Sequence, residues 1–187
     1  MQISDNELWL LSYYRESELS GALLFGKLAR RTNDDDLRIQ LTRHCADEAM
    51  HAWLWTRTIL EVGGVPRQVA ETYQNRYCGE IGLPKSMLEI LAMTQVFEKR
   101  VLNHFREHLE RPGTLPAVAA TLRTMIDDER GHVDWIRERL NRHAELEGSE
   151  SVETMLRRFE EIDRRIYADL SVRGASFRDV LERSAHE

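Results

Sequence analysis

The sequence predicts an all-α fold: an antiparallel four-helix bundle with a long crossover between helices two and three, plus a fifth helix near the C-terminus. Three observations lead there. Apolar residues recur at three-and-four spacing through four long stretches. The four prolines (Pro66, Pro84, Pro112, Pro116) and most loop-type glycines fall in two regions, 62–84 and 111–117, that punctuate those stretches. The two halves of the chain also repeat one another.

The first segment, about 5–30, carries Leu11, Tyr14, Glu18, Ala22, Phe25 and Ala29 on one stripe. The second, about 35–62, carries Leu41, His44, Glu48, His51, Trp55 and Thr58. Thr32-Asn33-Asp34 joins them, a connection short enough for antiparallel neighbours. The third, about 85–110, carries Leu88, Leu91, Gln95, Glu98, Leu102, Phe105 and Leu109. The fourth, about 116–144, carries Leu122, Met125, Glu129, His132, Ile136 and Leu140. A turn over 111–116 pairs these two in the same way, whereas the stretch between segments two and three can run the length of a bundle. After a Gly148-Ser-Glu-Ser151 break, Met155, Leu156, Phe159, Ile162 and Ile166 mark a fifth amphipathic segment, about 151–170. It either caps the bundle or pairs with another subunit. The tail beyond Gly174 is short and polar, with one or two helical turns from Ser176. We expect one domain over 1–187, the bundle at 5–144 and the last helix and tail at 145–187.

Laying Leu11 on Leu91 also lays Glu18 on Glu98, Phe25 on Phe105 and Ala29 on Leu109. With one residue inserted, Asp47-Glu48-x-x-His51 falls on Asp128-Glu129-x-x-His132. Glu-x-x-His alone is common by chance; the matched upstream glutamates, matched aspartates and aligned stripes make the pattern specific.

Composition narrows the classes. Hydrophobic residues at 42% and charged residues at 31% suit a folded, water-soluble chain. The net charge of −6 comes from interspersed charges, with no basic block to follow a phosphate backbone, so a dedicated nucleic-acid binder is disfavoured. Cys45 and Cys78 belong to no Cys-x-x-Cys pair, so thiolates build no metal site, and two free thiols suit a reducing compartment. No stretch reads as a signal peptide or a membrane span. The expected location is cytoplasmic.

Glutamate and histidine in the middle of apolar stripes need an explanation, because a buried charge costs several kcal/mol unless it is paired or metal-bound. Residues three apart share a helix face, so Glu48 with His51, and Glu129 with His132, can aim at one inward spot. Glu18 and Glu98 complete a cage of four carboxylates and two imidazoles. Four negative charges balance two divalent cations, and one imidazole per metal suits iron or manganese over calcium or magnesium. Asp47 and Asp128 are candidate acceptors that fix an imidazole tautomer, within their own hairpin or across the bundle. His44, one turn from Glu48, is a candidate partner behind the ligands.

This constellation resembles the ferritin-like di-iron carboxylate superfamily, which includes rubrerythrins, bacterioferritins and di-iron oxygenases. The resemblance spans about 5–144, with all six ligand positions filled. It implies two iron ions (iron–manganese and di-manganese being alternatives), reaction with dioxygen or peroxide, and an electron donor not specified by the sequence. By resemblance to small ferritin-like hydroxylases, the substrate class extends to bulky molecules, including a modified tRNA base. The chain departs from rubrerythrins in lacking paired Cys-x-x-Cys motifs and in having Val101 where they add a metal-site glutamate. Ala49 stands where a bacterioferritin-like haem ligand would be methionine. The leading expectation is a non-haem di-iron oxidoreductase. A ferroxidase that feeds an iron-storing shell and a non-catalytic bundle with a vestigial site are the alternatives. Five amphipathic segments also point to a homo-oligomer, a dimer first.

Helical angles assign the neighbours. Glu16, Glu89 and Glu107 fall on the far side from the ligands and should be solvated. His104 and His108 read as surface or edge histidines, and Phe25, Phe105, Trp55 and Trp135 as core. Gly21 and Ala22 are small beside Glu18, so if the bundle has a substrate channel, the Gly21 side is the first place to look for it.

Overall fold

The computed structural model describes residues 3–69 and 72–170, apart from the side chains of Gln74 and 167–170. The polar tail and the turn expected from Ser176 lie outside the described residues. The described chain is all-helical: α1 (Asp5–Ala29), α2 (Asp35–Glu61), α3 (Tyr73–Ile81), α4 (Met87–Glu110), α5 (Pro116–Glu147) and α6 (Ser149–Leu170). No helix among the described residues is long and apolar enough to cross a membrane.

Local chemistry fixes the helix starts. The Ser4 hydroxyl accepts from the Glu7 amide at 3.2 Å, Asp34 from Leu37 at 2.7 Å, and Ser86 from Glu89 at 3.1 Å. Each satisfies an amide that the first helical turn leaves without an intrahelical partner. α5 uses proline instead, with Pro116 in its first turn. Gly148, at φ +95°, ends α5 in a conformation that L side chains resist.

α1 packs on α2 and α4 on α5, as the short connections require, and α2 also meets α5. Two apolar clusters hold the helices. One contains Leu28, Leu41, Leu91 and Ile136; the other contains Leu11, Trp55, Phe105 and Leu122. Each of these four helices passes from one cluster to the other. α1 and α5 run in one sense, α2 and α4 in the opposite sense. Fully buried side chains such as Leu11 and Trp55 each stabilise the fold by about 1.5–3 kcal/mol. Between the clusters, halfway along each helix, lie the glutamates and histidines of the stripes.

Two features differ from the sequence reading. The crossover is not plain loop: α3 forms because Thr72 caps it, accepting from the Asn75 amide at 3.3 Å, and because its tyrosines are buried. The Tyr77 ring stands edge-on to Phe97 at 4.6 Å, and its hydroxyl donates to the Phe159 carbonyl at 2.8 Å. α6, for which two destinations were open, packs on α4 and α5 of its own chain and also touches α3. Its buried Asp163 accepts from the Tyr73 hydroxyl and pairs with Arg100, whose Nε lies 3.1 Å away. One carboxylate thereby joins α3, α4 and α6.

Candidate metal centre

All six predicted ligand residues converge in one buried zone between α1, α2, α4 and α5. Their donor atoms form two overlapping groups. Glu18, Glu48, His51 and Glu129 make one; His44, Glu48, Glu98 and His132 make the other. Within each group the donors lie within 4.8 Å of one another, and Glu48 belongs to both. Glu129 also faces both sides, with Oε1 3.2 Å from His51 Nδ1 and Oε2 2.9 Å from His132 Nδ1. The two glutamates of the Glu-x-x-His pairs are therefore the central ones, and Glu18 and Glu98 flank them.

Both imidazoles turn Nδ1 inward and Nε2 outward. His51 Nε2 lies 3.4 Å from Asp128, and His132 Nε2 lies 3.3 Å from Asp47. Of the two arrangements open in the sequence, the structure has the crossed one: each aspartate serves the histidine of the other hairpin. α2 and α5 lie side by side, which puts Asp47 opposite His132 and Asp128 opposite His51. A carboxylate at Nε2 favours a proton there, so it is Nδ1, once deprotonated, that presents a lone pair to the cluster.

The electrostatics reflect four carboxylates out of water. Burial raises Glu18, Glu48 and Glu98 well above the usual carboxylate range, and repulsion from neighbouring glutamates adds to it. Burial would raise Glu129 as well, but the hydrogen bond from His132 and the nearby His51 imidazole hold it well below. Burial works against charge on His51, yet the Glu129 and Glu18 carboxylates push it up to about 9. His132 is raised by Glu129 against the same burial. His44 goes the other way: burial, then the adjacent His132, holds it well below the usual histidine value.

Gly21 packs against this zone rather than opening it. A Cβ at that position would come within 2.4 Å of Glu48 Oε2, so only glycine lets the carboxylate lie there. On the Gly21 side, where a channel was sought, the Glu48 carboxylate fills the space beside the glycine. A cavity of about 390 Å³ opens instead between α2 and α5, lined by Gln40, Arg43, Asp47, Met50, Asp128 and Trp135 around the histidines.

Several neighbours also differ from expectation. His108 is fully buried, not at an edge: its Nε2 lies 2.9 Å from Glu7, and its Nδ1 3.2 Å from the Tyr14 hydroxyl. Glu7 extends the α1 stripe one turn before Leu11, and that was the available signal. His104 is partly buried, and burial lowers it to about 3. Glu89 is not simply solvated, since it accepts from the Lys85 amide and from Arg158. Glu16 is half-exposed beside Arg15, and Glu107 is exposed as expected. Gln95, one turn before Glu98, is a residue the sequence reading left in the stripe without a role. It is buried, with neither amide atom hydrogen-bonded among the described residues.

Comparison of the chain with family models, curated proteins and solved structures finds no match to any of them. The functional reading therefore rests on the geometry of the chain itself.

Proposed function

We propose that this protein is a non-haem di-iron oxidoreductase whose α1, α2, α4 and α5 form a ferritin-like four-helix bundle, with α3 in the crossover and α6 packed outside. One observation carries the reading: four buried glutamates meet two imidazoles whose Nδ1 atoms face inward and whose Nε2 atoms are held by Asp47 and Asp128. The residues fit a pair of cations. His51 Nδ1 and Glu129 Oε1 lie 3.2 Å apart in the interior, yet neither makes a hydrogen bond among the described residues. Groups so placed cost about 1–3 kcal/mol each unless something binds them. Gly21 supports the same reading, because its missing Cβ leaves the space that the Glu48 carboxylate occupies.

Glu18 and His51 would hold one ion, Glu98 and His132 the other, with Glu48 and Glu129 shared between them. Two iron ions there (or manganese in either position) supply one-electron chemistry toward dioxygen or peroxide. The protein's own contributions are distinct. Four carboxylates balance the charge of two divalent ions. Asp47 and Asp128 keep the Nε2 protons on the imidazoles and fix the ring planes. The apolar clusters above and below exclude water, and the cavity between α2 and α5 gives a small substrate or an oxidant a path to the histidine side.

The decisive experiment is metal content by mass spectrometry after expression with iron, beside a Glu129→Ala variant. Two metals per wild-type chain, lost in the variant, are expected. A folded wild-type chain that stays metal-free under iron and manganese loading would overturn the proposal.

A further inference from the structure

We propose that His44 is a third imidazole donor of this centre, binding through Nε2 the metal shared with Glu48, Glu98 and His132, so that the two metals have unequal ligand sets. The inference rests on the metal-centre reading above and deepens it. His44 Nε2 sits between two carboxylates, 3.1 Å from Glu48 Oε1 and 3.0 Å from Glu98 Oε1. It belongs to the second donor group on the same distance criterion as His132. A residue that merely supported a ligand would touch that ligand from outside; His44 stands among the ligands.

Its orientation is fixed by packing. The ring stacks on Phe25 at 3.9 Å and lies against the tilted ring of His132 at 3.9 Å, while Trp135 meets it edge-on at 6.0 Å. Packed among these three rings, the buried imidazole is held with its Nε2 toward Glu48 and Glu98. The outer nitrogen differs from that of His51 and His132. Nδ1 of His44 is buried and has no hydrogen-bond partner among the described residues. No carboxylate strengthens this imidazole from behind, so His44 is the weakest base and the most easily displaced of the three.

The internal repeat shows that this donor is particular to one half. The register that lays Glu48 on Glu129 lays His44 on Met125, which is buried in an apolar cluster. One metal then has a single imidazole and mainly carboxylate oxygen, the other two imidazoles. Imidazole suits iron and zinc, whereas carboxylate-rich sites suit manganese, so the ions should load in two distinguishable steps.

The test uses the full chain loaded with cobalt(II). Proton spectra in water should show three exchangeable, paramagnetically shifted imidazole N–H signals, one for each bound histidine, all lost in deuterium oxide. His44→Gln and His44→Ala should remove one signal and weaken one of two cobalt-binding steps at least about tenfold, leaving the other step in place. Two signals from a wild-type chain that binds two cobalt ions would overturn this inference alone. A folded variant that binds both ions as tightly as wild type would do the same. A wild-type chain that binds no cobalt overturns this inference together with the metal-centre reading. If neither variant folds, the wild-type signal count still decides.

Discussion

Gly21→Ala separates a role in folding from a role in metal binding. The added methyl would sit 2.4 Å from Glu48 Oε2 and 3.2 Å from its Cδ, so the carboxylate must retreat by about 1 Å to reach ordinary contact. The obstacle is the far end of a flexible side chain, not backbone, and the retreat costs about 0.5–1.5 kcal/mol in rotamer strain. Against this, replacing glycine inside α1 favours the helix by about 0.8–1 kcal/mol. The two nearly cancel, so stability measured by urea unfolding with a chelator present should stay within about 1 kcal/mol of wild type. Metal affinity should behave differently. Glu48 belongs to both donor groups, and ligands tolerate only about 0.5 Å of displacement. Both binding steps should therefore weaken at least about tenfold, or about 1.4 kcal/mol. Gly131→Ala is the matched control: nothing lies within 4 Å of the Cβ position, so it should stabilise α5 by about 1 kcal/mol without touching affinity. Unchanged cobalt or iron affinity in Gly21→Ala would refute the argument. So would a loss of metal-free stability above about 2 kcal/mol, because Glu48 would then be held by packing alone.

Three further outcomes follow from the same geometry. Asp128→Asn replaces the carboxylate behind His51 with a neutral amide and should lower metal affinity about 10–100-fold while leaving the helical content unchanged, as read by metal titration and circular dichroism. Glu7→Gln should destabilise the protein by about 1.5–3 kcal/mol near neutral pH, since Glu7 makes charge-assisted contacts with His108 and Arg111. Burial opposes the ionised form of Glu7, but those contacts win and hold its pKa below 4.5. A depressed carboxylate contributes above its unfolded value and loses that contribution as pH falls through the folded one, so the variant and wild type should converge in acid. Urea midpoints at about pH 7 and about pH 3 measure this. Arg100→Met leaves Asp163 buried without its cation and should cost about 3–5 kcal/mol, detected as a lowered midpoint and loosened α6 in hydrogen exchange.

How much was legible in sequence depended on the range of the signal. Helix bounds came within a few residues because local periodicity, Ser86-x-x-Glu89 and Pro116 act over one turn. The convergence of Glu18, Glu48, His51, Glu98, Glu129 and His132 was legible because a repeat made long-range geometry readable as register. α3 was not: nine residues give too short a window for a period, and Tyr73 and Tyr77 are buried by Phe97 and Phe159, which lie far along the chain. His108 failed for the same reason, its partner Glu7 lying 101 residues away along the chain. The side of the opening depends on which pair of helices separates, and spacing along one helix carries no trace of that.

That opening also explains why the aspartates are where they are. The helices that supply Glu-x-x-His are the same two, α2 and α5, that line the cavity. Asp47 and Asp128 keep 40% and 53% of their side-chain surface in solvent, while the glutamates they stand behind are sealed off. Nε2 of His51 and Nε2 of His132 thus each face a carboxylate that water reaches, on the side where the cavity opens. Glu18 and Glu98, on α1 and α4, have no such aspartate behind them among the described residues. The crossed His–Asp contacts thus give the cluster a wet face and a dry one. Aligning the two halves predicts the pairs of residues, but only the packing of α2 against α5 brings both aspartates to one opening.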